Sequence, residues 1–145
     1  MSERFAYILL SNEKWWNRIC GQKSVGKTSH AFVRRGIVGP QRTELILFYV
    51  TYPSKEIRGF GEFVERATGN ARALWKNYGQ ETCLNSFEEY LAFLEGRTRV
   101  TFIRFRGLHL LDTPISANTI SQITGINRMP RSGRYINKET AHRLI

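Results

Sequence analysis

The residues best suited to chemistry cluster near the start of the chain. Gly21-Gln-Lys-Ser-Val-Gly26-Lys27-Thr28 matches the phosphate-loop pattern G-x-x-x-x-G-K-[ST] letter for letter. Such a loop aims successive backbone N–H groups at phosphate oxygens, with the lysine on the phosphates and the threonine on magnesium. It needs a strand entering and a sound helix leaving. Here Glu13–Cys20, just before it, is capped like a helix and carries two tryptophans, and Gly36 and Gly39-Pro40 follow soon after. An acidic residue at a strand end is also wanted for the metal, and Asp112 is the only aspartate in the chain. Nucleotide hydrolysis is therefore disfavoured, and the match reads as a coincidence.

Stripped of that pattern, the stretch still holds Lys23, Lys27, His30, Arg34 and Arg35, five cationic or potentially cationic groups in thirteen residues. Basic side chains on a glycine-containing loop can reach phosphates at varied distances and give salt-dependent affinity. Arg128, Arg131 and Arg134 add a second cluster. Trp15 and Trp16 are neighbours, so on a helix they cannot both face one core, and one of them is expected to be partly exposed or to line a cleft. A flat ring beside a basic loop is what base stacking uses. Cys20 and Cys83 have no metal-ligand spacing with His30, His109 or His142. Neither a zinc site nor any cofactor is implied, and the cysteines read as free thiols.

The charge balance points the same way. The 145 residues carry 22 Lys+Arg against 12 Asp+Glu, a net +10 with pI near 10.1. Such an excess works against compactness through self-repulsion and suits a polyanionic partner. The apolar runs Phe5–Leu10 and Leu45–Val50 are too short to cross a bilayer. No charged-then-apolar leader opens the chain, so a cytoplasmic protein without a membrane partner is expected.

The elements that must position these groups follow from pattern. Phe5–Leu10 reads as a buried strand, and Ser11 or Asn12 caps a helix through Trp15, Trp16 and Ile19. Gly21–Gln41 reads as a basic loop with a short apolar piece, Ala31-Phe32-Val33. Glu44–Thr51 and Glu56–Arg66 form a hairpin, in which Gly59 and Gly61 mark a bulge or a close approach. Helices follow over Asn70–Tyr78 and after Ser86, where Glu89 completes a capping box. Thr98–Leu111 is a late strand with Arg104 and Arg106 on one face. Ser116–Ile123 is a short helix ending at Gly125, and Asn137 caps the last one. This order does not alternate strand and helix throughout, which disfavours a doubly wound parallel sheet and favours a small mixed sheet or barrel in one domain.

These residues resemble a known group. Ala6-Tyr-Ile-Leu-Leu-Ser-Asn12 followed by Trp15 looks like the opening of the PUA-like superfamily, in particular its EVE and YTH branches. Leu45-Ile-Leu-Phe-Tyr-Val-Thr51, then Ile57-Arg-Gly-Phe-Gly-Glu-Phe-Val64, resembles the barrel hairpin of EVE domains, and the whole chain looks closest to an uncharacterised archaeal family of that group. The resemblance spans about residues 5–115 and implies an α+β fold, a twisted mixed β-barrel flanked by helices; residues 1–145 are expected to form one such domain, with 126–145 a basic C-terminal extension outside the matched region. It also implies RNA or modified-base recognition in an aromatic pocket flanked by a basic loop. By position, Ser11, Asn12 and Trp15 match the pocket, Tyr49 and Thr51 the hairpin strand, and Lys27 and His30–Arg35 the backbone-facing loop. Trp16, Lys23, Arg131 and Arg134 complete the expected nucleic-acid-binding set, on RNA or on modified DNA.

A sister branch, ASCH, offers a rival. Gly26-Lys27 with Arg34 downstream loosely resembles its Gly-x-Lys…Arg element. Some ASCH members are amidohydrolases of acylated nucleosides that use a Lys, a Thr and a Glu. Lys27 and Thr28, with Glu62 or Glu65, could form that trio, although Thr28 directly beside Lys27 points elsewhere on most backbones.

Overall fold

A computed structural model describes residues 4–145. The chain runs β1 (Ala6–Ser11), α1 (Glu13–Ser24), β2 (Ser29–Arg35), β3 (Leu45–Val50), β4 (Glu56–Asn70), α2 (Ala71–Tyr78), a 3-10 turn (Gly79–Glu81), α3 (Phe87–Leu94), β5 (Arg99–Ser116), α4 (Ala117–Thr124), β6 (Arg134–Ile136) and α5 (Lys138–Leu144). The caps are those expected from composition. Asn12, Asn70, Ser86, Ser116 and Asn137 each accept a backbone N–H of the first turn of their helix. Gly125 in the left-handed region ends α4, as its position just past the apolar pattern implies.

The strands form one six-stranded sheet in the order β2-β5-β4-β3-β1-β6, mixed because β1 and β3 run parallel and the other pairs antiparallel. Register shifts at three places along the β4–β5 ladder let these long strands bend. The sheet thereby curls around its own apolar face. Tyr7 and Leu9 of β1, Phe32 of β2, Phe48 of β3 and Phe105 of β5 share one buried cluster with Trp16 and Ile19 of α1. The two edges approach each other: the Arg34 guanidinium on β2 donates to the Arg131 carbonyl, just before β6, at 3.2 Å. On the convex side α2 and α3 cover Ala31, Val33 and Phe102, while α4 and α5 cover Ala6, Ile8, Leu47 and Tyr49. Residues 126–145 thus supply an edge strand and a packed helix as well as positive charge.

One sequence expectation needs correction. Ser29–Arg35, read as loop, is a strand paired along its length with Val100–Arg106. Its inner side chains, His30 and Phe32, and its outer ones, Ala31 and Val33, are all buried. A strand covered on both faces shows no polar alternation, and flanking glycine and arginine masked it. The phosphate-loop pattern is a coincidence here, as the sequence implies. Helix α1 runs through Gly21, the Gly26 and Lys27 N–H groups bond back to the carbonyls of Lys23 and Gln22, and a strand rather than a helix follows.

The expected close approach is at Gly59. A Cβ there would lie 2.7 Å from the His109 carbonyl oxygen and 2.8 Å from Trp16 Cη2. Gly59→Ala is therefore expected to destabilise the protein by about 1–3 kcal/mol in denaturant unfolding. Gly21→Ala, inside α1 with no atom within 4 Å of the added methyl, should instead stabilise it by up to about 1 kcal/mol.

Candidate nucleic-acid interface

Helix geometry separates the two tryptophans. Trp16, 3% exposed, turns into the concave core against Phe48 and Gly59. Its neighbour Trp15 turns toward α3, where its ring meets Phe93 edge-on at 5.7 Å and 85°. Between them and the end of β2 lies an open cleft of about 360 Å3, lined by Leu10, Ser11, Asn12, Trp15, Phe32, Val33, Arg34, Arg35, Phe93 and Arg97. That volume falls in the range of small-molecule sites. Ser11, Asn12, Trp15, Arg34 and Arg35 of the expected set come together here. Phe93 and Arg97 were not foreseen. Phe93 has the same signal as Trp15, an aromatic beside a core position (Leu94) on one helix.

The cleft is cationic. Lys14 Nζ and the Arg18 guanidinium lie over the Trp15 ring at 4.8 and 5.1 Å, and the Arg35 guanidinium over Phe93 at 4.6 Å. Arg35 Nε also donates to the Phe93 carbonyl at 2.6 Å, which holds β2 to the end of α3. Arg34 is half-buried, and desolvation lowers its pKa. Its Nη1 has no hydrogen-bond partner among the described residues. Neither Arg34 nor Arg97 forms an ion pair with a described carboxylate, unlike Arg18, Arg58 and Arg104. Arginine without a carboxylate in a cleft with aromatic walls is suited to phosphate.

The remaining expected residues lie elsewhere. Lys23 sits in the exposed last turn of α1. Lys27 turns its ammonium onto the carbonyls of Gln80 and Thr82, and burial lowers its pKa. His30 is 1% exposed and stacks on Phe105, with its pKa lowered by burial and then by the Lys27 cation. Tyr49 is buried with Ile57 and Ile136, and the Thr51 N–H docks on the Ser11 carbonyl. Arg131 contributes its carbonyl to Arg34, and Arg134 pairs in β6 beside Ile8. Of the rival trio, Thr28 is exposed, while Glu62 and Glu65 face Arg106 and Arg104 across the β4–β5 ladder. No group of three His, Cys, Asp or Glu able to hold a metal occurs among the described residues, and no described helix is long and apolar enough to cross a membrane.

One ion pair sets the width of the cleft. Arg18 Nη1 and Nη2 donate to Glu89 at 2.6 and 2.9 Å, and Nη1 reaches the Cys83 carbonyl, so α1 is clamped to α3 below Trp15 and Phe93. Hydrogen bonding from Arg18, then from the Asn85 N–H, holds the Glu89 carboxyl at about 2 instead of 4.5. A folded value below the unfolded one adds stability that is complete above the unfolded value and fades as pH falls through the folded one. The thermal stability of the natural protein should therefore fall more steeply than that of Glu89→Gln as pH drops from about 5 to about 2.

Against known proteins, no family model and no curated protein sequence matches the chain. Solved structures do. A serine-to-alanine mutant of the ASCH protein ZmASCH from Zymomonas mobilis superposes with a TM-score of 0.79 at 24% identity, covering 99% of this chain and 96% of the other. The ASCH structure from Zymomonas mobilis gives 0.75 at 25% identity over 96% and 92%. The NMR structure of Rpa0253 from Rhodopseudomonas palustris gives 0.52 at 11% over 97% and 90%. The likeness to ASCH proteins takes in residues 126–145, and the resemblance to an archaeal family finds no support in these matches. In architecture the chain is similar to the ASCH proteins: it has a mixed α+β fold of the PUA-like kind, a curled six-stranded sheet flanked by five helices.

Proposed function

We propose that the protein binds single-stranded nucleic acid, RNA foremost, in the cleft that Trp15 and Phe93 line together with the end of β2. The observation that carries this reading is the convergence of two aromatic side chains with Arg34, Arg35 and Arg97 on one open cleft. A base stacks on Trp15, displacing the exposed Lys14, while the guanidinium groups take the flanking phosphates. Trp15 and Phe93 stand at right angles and so offer a stacking face and an edge, an arrangement that accepts a plain base as readily as a methylated one. The PUA-like fold and the positive net charge are compatible with this reading.

A second reading, the hydrolysis of acylated nucleosides, draws on one observation: burial lowers the pKa of Lys27, which brings a free amine within easier reach. Against it, two carbonyls hold that ammonium, and Glu62 lies beside Arg106.

Fluorescence anisotropy with short RNA and DNA strands, plain and methylated, tests the main reading. Trp15→Ala is expected to weaken binding by about 1–3 kcal/mol. Arg34→Ala and Arg97→Ala should weaken it for all sequences and reduce the dependence of log affinity on log salt by somewhat less than one each. Binding that ignores Trp15 would overturn the stacking cleft and leave contact with the phosphate backbone alone, whereas no binding together with turnover of an acylated nucleoside that Lys27→Ala abolishes would replace this reading with the second.

A further inference from the structure

A second cleft lies at the other end of α1. It is open, about 490 Å3 in volume, and lined by Gln22, Trp75, Lys76, Gln80 and Asn85, together with backbone and apolar groups. A small apolar cavity of about 20 Å3 shares walls with both, Trp15 and Phe93 with the first cleft and Thr82 and Leu84 with the second. Asn12, Trp15 and Gln22 fall on one stripe of α1 at helical spacing. The stripe spans roughly 15 Å at the helical rise, a distance a strand of a few nucleotides crosses.

The two clefts differ in chemistry. The first presents guanidinium groups, which grip phosphates without reading sequence. The second presents the carboxamides of Gln22, Gln80 and Asn85, the side-chain type that reads base edges. The orientation of Gln22 is set, because its Nε2 donates to the Thr82 carbonyl at 2.8 Å. That leaves Oε1 as an acceptor, buried and without a hydrogen-bond partner among the described residues. A buried acceptor of this kind wants a donor, and the exocyclic amino group of a base is one. The Trp75 ring is already stacked on Tyr90 at 4.6 Å and backed by Gly79, so this cleft is built to read an edge more than to stack a face.

We propose that the second cleft is a base-reading subsite for a nucleobase bearing an exocyclic amino group, adenine or cytosine, on the same strand that stacks at Trp15. It rests on the nucleic-acid reading above. The test compares RNA strands of about eight nucleotides, oligoadenosine against oligoinosine and oligocytidine against oligouridine, since in each pair a carbonyl replaces the amino group and the ring nitrogen beside it gains a hydrogen. Adenosine and cytidine strands should bind about tenfold more tightly than their partners. Gln22→Met, and separately the exposed pair Gln80→Ala with Asn85→Ala, should shrink that ratio to about twofold and leave uridine binding unchanged. Trp15→Ala should weaken all four strands alike. Equal affinities that still depend on Trp15 would overturn the subsite alone, as would a preference untouched by all three carboxamide substitutions. Absence of any Trp15-dependent binding would overturn the primary reading and the subsite with it.

Discussion

The packing of the Trp16 ring against the bare backbone of Gly59 governs how the rest of the molecule is arranged. It seats α1 across the concave face of the sheet, where Trp16 and Ile19 complete the apolar cluster begun by Leu9, Phe32 and Phe48. With α1 fixed in rotation, successive side chains fall about 100° apart. Trp15 then has to face α3 and the edge of β2. The cleft follows from the core: the residue beside the buried tryptophan cannot be buried in the same place.

The Arg18–Glu89 pair fixes the other wall, and it shows how charge is divided in this chain. Arg18, Arg58 and Arg104 are each bound to carboxylates and join elements: α1 to α3, the start of α1 to β4, and β5 to the 3-10 turn. Their role is structural, and Arg104 is held protonated chiefly by its hydrogen bonds to Glu81. Arg34 and Arg97 have no such carboxylate. The basic excess of the composition is thus partly built into the fold and partly left facing the cleft. Net charge alone could not show which arginine has which role.

Much of the architecture was legible in the sequence because its signals are local. The caps at Asn12, Ser86 and Asn137, the apolar runs of β1 and β3, the hairpin and the close approach at Gly59 each depend on a few neighbouring residues. The tryptophan pair was legible for the same reason. What could not be read was pairing in space. β2 was hidden because both of its faces are covered by different clusters, with Phe32 in one and Val33 in another. Lys27 and His30 look like binding residues in a loop, yet the fold buries His30 against Phe105 and turns Lys27 onto carbonyls more than fifty residues away. Phe93 and Arg97 belong to the cleft only because α3 lies beside α1, and no local pattern encodes that.

The approach of the two sheet edges also bears on how this architecture can vary. At the seam, side chain meets carbonyl, Arg34 to Arg131, where a closed barrel would carry a ladder of backbone bonds. An insertion on the Arg131 side, or a change of side chain at Arg34, breaks no strand pairing, so the seam can be reshaped while the sheet stays intact. The cleft opens beside this seam. Proteins of this architecture can therefore acquire different ligands by altering the region where alteration disturbs folding least.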